Sequence, residues 1–255
     1  MGLTLITDGF KDLLTMFDDL EFDEGRHLYF VNGDNYPSVS SRLHDHCEEF
    51  DEDYWLARKA PQLGVSIEEL RRQWHKKRDD ACAKGHDAHY FLEHFKPGME
   101  DLADTPEKKA GVLFLQHYIY KENPRYFIIT QEYRMVHREF KYCGTTDMLL
   151  WDNWEKKIIV ADWKTNEDLF KTFGTLKSPF NFLTSNPFNK YQLQFSYYQL
   201  MVEQSKYKVS ERWLIYLEAD GMYTIHKTED YTKELTKHMK GEAKNPFDNA
   251  YTVVW

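Results

Sequence analysis

The 255-residue sequence contains few cysteines, no long apolar run and no internal repeat. Its three cysteines (Cys47, Cys82 and Cys143) are far apart and form no CxxC pair, which argues against a disulfide framework and against a four-cysteine zinc or iron–sulphur site. No segment approaches the roughly 20 apolar residues that a membrane span needs. The N-terminus has no basic region, and Asp8 interrupts its apolar residues, so no secretory signal is visible. We therefore expect a cytoplasmic protein without a membrane partner.

The acidic charge of the chain is concentrated near its N-terminus. The net charge is −9, and residues 1–53 contain 14 Asp and Glu against 3 Lys and Arg. Residues 1–35 show no clear hydrophobic period, which predicts an acidic N-terminal arm or a short irregular lobe. The rest of the chain is nearly neutral, so the total charge neither supports nor excludes a nucleic-acid partner.

Helical patterns dominate residues 38–122. Ser66 and Glu69 have the spacing of a capping box and predict the start of a long helix that ends at Gly85. A second helix is predicted over residues 86–95, and a third begins with Pro106 at its first position. Hydroxyl side chains precede three of the predicted helices and can cap them: Ser38, Ser66 and Thr105.

The hydrophobic pattern then changes to that of strands. Residues 125–165 are rich in β-branched and aromatic side chains and predict three or four strands, with a turn at Asp152-Asn153. A long aromatic stretch and a helix follow, and a hairpin then turns at Asp220-Gly221. A last helix is predicted over residues 230–242. This order predicts an α/β (α+β) fold, with a central mixed β-sheet over about 125–228, flanking helices and an N-terminal helical elaboration, as one domain over 36–255.

The segment IIVADWK places an acid and a base at the end of an apolar strand. Asp162 and Lys164 are two residues apart and point to the same face of that strand. Asp147 lies on the preceding strand, so the turn between them can bring both carboxylates to one sheet edge. Such a pair repels unless a cation neutralises it, and carboxylate oxygens suit Mg²⁺ or Mn²⁺. An ordinary ion pair between Asp162 and Lys164 is the structural alternative.

Further polar residues have a spacing that can complete such a site. His89 and Glu93 are four residues apart on one helical face, and Gln194 and Tyr198 have the same relation on a later helix. Glu132 lies on the strand before Asp147 and is a possible third carboxylate. Each of these features alone is more typical of surface contacts or core packing than of a metal site.

Taken together and in order, the motifs resemble a known family. Gly85-x-x-x-His89-x-x-x-Glu93, then Gly144-Thr-Thr-Asp147, then Asp162-Trp-Lys164-Thr165, then Gln194-x-x-x-Tyr198 is similar to the RecB-like branch of the PD-(D/E)XK nucleases. The segment YPSVSSRL also resembles the entry to the domain in mitochondrial genome-maintenance exonucleases and their phage relatives. The resemblance covers roughly residues 36–200.

The resemblance implies a restriction-endonuclease-like core and a Mg²⁺- or Mn²⁺-dependent DNA exonuclease that prefers single-stranded or flapped ends. It assigns metal ligation to His89, Asp147, Asp162 and the backbone carbonyl of Trp163, and catalysis to Asp147, Asp162 and Lys164. Supporting roles fall to Glu93, Glu132, Thr165, Gln194 and Tyr198. The cysteine content favours members without an iron–sulphur cluster. The expected partners are DNA and proteins of replication or recombination, in the host cytoplasm if the chain is phage-encoded.

Two other functions stay open at this point. One is a structure-specific or restriction-type endonuclease of the same superfamily. The other is a non-catalytic DNA- or protein-binding module of a recombination complex, which the acidic N-terminus fits better. The helix EELRRQWHKKRDD offers a DNA-binding surface, with cations around an aromatic side chain: Arg71, Arg72, Trp74, Lys76, Lys77 and Arg78. A solvated helix with Trp74 facing the core is the structural alternative.

Overall fold

A five-stranded mixed sheet forms the centre of the molecule. The computed structural model describes residues 8–241; the first seven residues of the predicted arm and residues 242–255 of the predicted domain lie outside that range. The spatial order of the strands follows their order along the chain: β4 (Tyr126–His137), β5 (Tyr142–Asp152), β6 (Lys157–Lys164), β7 (Val209–Leu217) and β8 (Tyr223–Lys227). Neighbours are antiparallel except β6 and β7, which are parallel. The predicted mixed α/β fold is confirmed.

Helices cover both faces of this sheet, and strand β6 shows why both are needed. Ile158 and Val160 belong to the apolar cluster on one face, which contains residues of α6 (Pro187–Val202). Ile159 and Ala161 belong to the cluster on the other face, which contains residues of α5 (Pro106–Tyr118). A strand buried on both faces has a continuous apolar sequence rather than an alternating one. The run IIVA therefore identifies the middle strand of the sheet.

The helical elaboration precedes the sheet and consists of α2 (Val39–Asp45), α3 (Glu52–Leu63), α4 (Ile67–His94) and α5. The capping predictions are confirmed, because Ser38, Ser66 and Thr105 each accept a hydrogen bond from the backbone N–H three residues later. Each side chain satisfies one backbone donor that the first helical turn leaves unpaired. A short helix, α7 (Thr232–Met239), closes the described chain within the predicted 230–242 region.

The prediction that a helix ends at Gly85 is wrong. Helix α4 runs without interruption for 28 residues, from Ile67 to His94, and includes both predicted helices. A glycine in a helix interior costs about 1 kcal/mol relative to alanine but does not by itself stop the helix. Gly85 lies where α4 passes the end of β6, since a Cβ added to it would lie 3.3 Å from Thr165 Oγ1. The glycine permits this close approach.

The N-terminal region is also different from the predicted arm. After the short helix α1 (Lys11–Leu14), an antiparallel three-stranded sheet forms from β1 (Leu20–Asp23), β2 (Leu28–Val31) and β3 (Asp34–Tyr36). Leu13 and Val31 are buried in the same apolar cluster as β4 and β6. The expected boundary at residue 35 therefore does not separate two hydrophobic cores. Three- and four-residue strands with many acidic positions are too short to give a recognisable alternation.

Candidate metal centre

Three carboxylate residues lie side by side on three adjacent strands. The pairing of β4 with β5 on either side of Glu132 places this residue opposite Asp147. The pair Met148↔Ala161 in the next ladder places Asp147 opposite Asp162. Residues directly opposite each other in antiparallel strands project to the same face. The sheet register thus brings together the two acids that the sequence predicted to meet and places Glu132, which the sequence offered as a third carboxylate, beside them.

Helix α4 contributes a histidine to the same place. His89 Nδ1 lies 3.3 Å from Asp147 Oδ2. One ligand atom from each of His89, Glu132 and Asp147 can be chosen so that all three atoms lie within 4.8 Å of one another. One imidazole nitrogen and two carboxylate oxygens are a donor set that Mn²⁺ or Mg²⁺ accepts, with water or phosphate oxygens filling the other positions. These residues therefore fit a divalent cation.

Asp162 does not belong to this three-residue cluster. Its Oδ1 accepts hydrogen bonds from Thr146 Oγ1 at 2.9 Å and from the Asp147 backbone N–H at 2.8 Å. Its Oδ2 accepts a hydrogen bond from Lys164 Nζ at 3.0 Å. Only 2 % of Asp162 is exposed, so these partners satisfy an otherwise isolated buried carboxylate. The sequence placed Asp162 among the metal ligands; in this structure Glu132 stands with His89 and Asp147 instead.

The Trp163 main chain also contacts the site, through its N–H. This group donates a hydrogen bond to Asp147 Oδ2 at 2.7 Å. The reciprocal bond from the Asp147 N–H to Asp162 means that each aspartate is held by the backbone of the neighbouring strand. Such bonds favour the ionised carboxylate and fix its orientation before any ligand arrives.

Burial and mutual proximity shift the pKa values of the carboxyl groups and of His89 in this cluster. Burial, reinforced by Asp147 and Glu93, raises the pKa of Glu132 to about 8. Burial also raises the pKa of Asp162, although Lys164 opposes the shift. Burial disfavours the charged imidazole of His89, but the neighbouring Asp147 carboxylate outweighs it and raises the His89 pKa. Glu132 thus holds a proton near neutral pH that a bound cation would displace, whereas, despite burial, His89 keeps the pKa of Asp147 below its usual value.

Glu132 has, in addition, an unusual backbone conformation. Its φ is +46°, in the left-handed region that residues with a side chain seldom adopt, although it lies inside strand β4. A non-glycine residue held in that region costs on the order of 1–3 kcal/mol, and such residues concentrate at functional sites. The strain and the raised pKa occur at the same residue.

Lys164 lies beside the carboxylates as a cation. It is nearly buried, with 13 % of its side chain exposed, and its ammonium lies 4.7 Å from the centroid of the Tyr191 ring. Burial lowers the Lys164 pKa, but Asp162 and Asp147 more than compensate and hold it above the usual value. The side chain therefore remains protonated near neutral pH, which suits it to stabilising anionic charge rather than to accepting a proton.

The predicted supporting residues converge on the same region. Gln194 Nε2 donates to the Tyr198 hydroxyl at 2.9 Å, as their spacing on α6 predicts. Tyr198 packs against Gly144, where an added Cβ would lie 2.8 Å from Tyr198 Cε1. Glu93 lines the cleft above the cluster, and Thr165 lies beside Gly85 at the end of β6. Gly144 thus makes room for Tyr198 next to the carboxylates.

A cleft of about 450 Å³ leads to the cluster. One wall is formed by the N-terminal sheet, whose Tyr29 hydroxyl lies 2.9 Å from Thr145 Oγ1. Phe22 of β1 and Arg134 of β4 also line it. Sequence analysis missed these three residues. A signal existed only for Arg134, which follows Glu132 by two residues and so shares its face of the strand.

The predicted DNA-binding residues of α4 lie away from this cleft. The five cations all have carboxylate partners: Arg71 with Glu52 and Asp53, Arg72 with Glu69, Lys76 with Asp80, Lys77 with Glu167 and Arg78 with Asp79. Trp74 is half-buried and packs against Leu56, Ala60 and Leu70, the small core of the α3–α4 pair. The structure therefore agrees with the alternative reading of Trp74 as a packing residue.

The aromatic stretch between β6 and α6 is partly buried and partly exposed. Leu169, Leu176 and Phe180 are buried in the main apolar cluster, whereas Phe170, Phe173 and Phe182 are more than half exposed. The loop is therefore anchored by its aliphatic residues and one phenylalanine, and presents the other rings to solvent.

Comparisons with known proteins assign no family to the chain. No protein-family model matches it, and no curated protein matches its sequence. Within residues 8–241, none of the helices has the length and apolar character to cross a membrane.

Proposed function

We propose that the protein is a Mg²⁺- or Mn²⁺-dependent deoxyribonuclease, and specifically an exonuclease that acts on single-stranded or flapped DNA ends. The observation that carries the proposal is the row of Glu132, Asp147 and Asp162 across three strands, with His89 on one side and Lys164 on the other. One buried and two partly buried carboxylates on one face repel one another, and a cation would relieve that repulsion.

The donor set supports the metal requirement. His89, Glu132 and Asp147 would hold the cation, and Asp162 would join them when its bond to Lys164 is exchanged for the metal. A bound divalent cation supplies Lewis-acid activation of water and of the phosphodiester. Hydrolysis would form a bond from water oxygen to phosphorus and break one phosphorus–oxygen ester bond, and the proton that the water loses to solvent is balanced by the one that the leaving oxygen takes up as it becomes a hydroxyl.

Lys164 has a separate role in this proposal. Because Asp162 and Asp147 keep it protonated, its ammonium would stabilise the negative charge that develops on the phosphoryl or leaving oxygen. Before a cation binds, the Asp162–Lys164 contact, at 3.0 Å, holds the ammonium beside the row of carboxylates. Tyr191 confines it further through its ring face.

The shape of the cleft supports a substrate with a flexible strand. Its volume of about 450 Å³ is comparable to that of small-ligand pockets, and the N-terminal sheet closes one side of it. A single strand can enter a site of this size one nucleotide at a time, whereas a duplex would have to unpair first. The size of the cleft thus favours single-stranded over duplex DNA, and the circular substrate tests whether an end is needed.

The test compares wild type, Asp147→Asn and Asp162→Asn on single-stranded DNA labelled at either end and on a closed single-stranded circle. With Mn²⁺ we expect wild type to degrade the linear strands and leave the circle intact, and EDTA to stop the reaction. Each variant should lose at least about 100-fold in rate, because each removes a carboxylate that would hold the cation or orient Lys164, the positive charges that stabilise the transition state. Asp101→Asn, which changes an exposed aspartate that does not line the cleft, is the matched control.

Each other outcome has a definite meaning. Cleavage of the circle would make the protein an endonuclease of the same chemistry. Absence of cleavage on every DNA form, together with Mn²⁺ affinities of Asp147→Asn and Asp162→Asn equal to wild type in calorimetry, would refute the nuclease proposal. The protein would then be better described as a binding module.

A further inference from the structure

Arg134 is an arginine in the cleft without a carboxylate partner. It lies on β4 two residues after Glu132, and the register pairs it with Thr145. Among the described residues that line the cleft, it is the one arginine or lysine. Lys164, which also lies beside the carboxylates, is paired with Asp162. Within residues 8–241, Arg134 makes neither a salt bridge nor a side-chain hydrogen bond.

An aromatic ring holds the guanidinium in place instead. The Arg134 Cζ lies 4.7 Å from the centroid of the Phe22 ring on β1. Phe22 is itself fixed by Tyr29, at a centroid distance of 4.6 Å. Stacking on a ring restrains the plane of the guanidinium while leaving its N–H groups free to donate within that plane. The N–H groups of such a guanidinium can donate two parallel hydrogen bonds to the oxygens of one phosphate.

The surrounding charge makes this arginine necessary for an anionic substrate. The cleft is lined by four carboxylate residues: Glu24, Glu93, Glu132 and Asp147. Even with a divalent cation bound, the walls beyond the metal repel a phosphodiester chain. Arg134 supplies positive charge there, about 7 Å along the strand from Glu132, given the rise of about 3.4 Å per residue.

We propose that Arg134 binds a backbone phosphate next to the scissile one and that Phe22 positions its guanidinium for this contact. The inference rests on the proposed nuclease function, since it assigns a second phosphate site in the same cleft. The N-terminal sheet then has a role in substrate binding, because it carries the ring that orients the arginine.

A purely structural role for Arg134 predicts different effects on the melting temperature and on DNA binding. If the Arg134–Phe22 contact served only to attach the N-terminal sheet to β4, its loss would lower the melting temperature and would weaken binding of every phosphate equally. A phosphate contact instead affects one position of the substrate and the salt dependence of binding.

The experiment measures binding of a fluorescent single-stranded oligonucleotide with Ca²⁺ in place of Mn²⁺, so that binding is read without cleavage. Arg134→Met should weaken binding about 10-fold, as expected for loss of a charged hydrogen bond. It should also reduce the slope of log K against log salt by about 0.7, the value for one phosphate contact on a single strand. Arg134→Lys should keep the slope but bind more weakly, and Phe22→Leu should lie between wild type and Arg134→Met.

Arg58→Met is the matched control. Arg58 is also an exposed arginine near an aromatic ring, with its Cζ 6.0 Å from the centroid of the Trp55 ring. It lies on helix α3, outside the cleft. Oligonucleotides carrying one neutral methylphosphonate at successive positions complete the design. Wild type should lose affinity at a specific position next to the scissile phosphate, and Arg134→Met should be insensitive at that same position.

The outcomes separate this inference from the proposed function. If wild type binds and cleaves, but Arg134→Met behaves like Arg58→Met in salt slope and methylphosphonate pattern, the role of Arg134 is refuted and the nuclease stands. If the position-specific pattern appears without cleavage in Mn²⁺, the hydrolase is refuted and the phosphate site stands. If wild type does not bind single-stranded DNA, both are refuted.

Discussion

Glu132→Gln should remove part of the loss of stability that the metal-free protein shows as pH rises. The folded protein holds the Glu132 proton until about pH 8, against an ordinary value of 4.5. Between these two values the unfolded chain has released the proton and the folded chain has not. The free energy of unfolding therefore falls as pH rises, by at most about 1.4 kcal/mol per pH unit.

The size of the effect follows from the burial of the carboxyl group. From pH 5 to pH 7 the upper bound is about 3 kcal/mol, and because Glu132 is only partly buried we expect about 1–2 kcal/mol. For a chain of this size that corresponds to about 2–8 °C in melting temperature. His89 and Asp162 also have raised pKa values and act in the same direction, so the variant should keep part of the slope.

The assay is thermal unfolding of wild type and Glu132→Gln at pH 5, 6, 7 and 8, with EDTA and then with Mn²⁺. In EDTA the melting temperature of the variant should depend less on pH than that of wild type. Mn²⁺ should stabilise wild type more at pH 8 than at pH 6, because the cation replaces the proton, and should stabilise the variant less. Glu155→Gln, at an exposed turn at the other end of the strands, is the control.

Two results would refute this reasoning. One is a Glu132→Gln protein whose melting temperature varies with pH as steeply as that of wild type. The other is an Mn²⁺-induced shift of the same size in both proteins, which would remove Glu132 from the metal centre.

Two further substitutions separate the chemistry of the site from the stability of the sheet. Gly144→Ala would place a Cβ 2.8 Å from Tyr198 and 3.0 Å from Val39. The substitution should lower the free energy of unfolding by about 1–3 kcal/mol. It should also lower the proposed nuclease activity, because Tyr198 must move. Asp152→Asn weakens the paired hydrogen bonds from Arg125 at the far end of β5. It should lower the free energy of unfolding by about 1.5–3 kcal/mol. The rate of DNA cleavage below the melting temperature should stay unchanged. Equal losses of activity in both variants at matched stability would contradict this separation.

Features that depend on neighbours in sequence were predictable from the sequence. Ser38, Ser66 and Thr105 cap helices because the partner of each hydroxyl lies three residues away. The hairpin between β7 and β8 turns at Gly221, where φ is +86°, a conformation that suits glycine. The continuous apolar run of β6 marks a strand buried on both faces, and the two-residue offset of Asp162 from Lys164 places both side chains on one face.

The features that sequence analysis missed depend on contacts between distant segments. Gly85 has the local appearance of a helix end, and only the passage of α4 beside Thr165 explains why it lies inside the helix. The acidic N-terminus has the composition of an arm, yet Leu13 and Val31 supply apolar surface that the main sheet buries. Composition averages over such residues and cannot report their burial.

The sequence by itself determined the order of the elements after α4 and the position on the strands of the acids and the base of the candidate site. Only the tertiary structure decided which side chains share it. Strand register and the path of α4 bring Glu132 together with His89 and Asp147, leave Asp162 bonded to Lys164, and set Arg134 against Phe22. A strand's period fixes the face of a residue, but distances of a few ångströms between strands, helix and N-terminal sheet are fixed by packing across the whole chain.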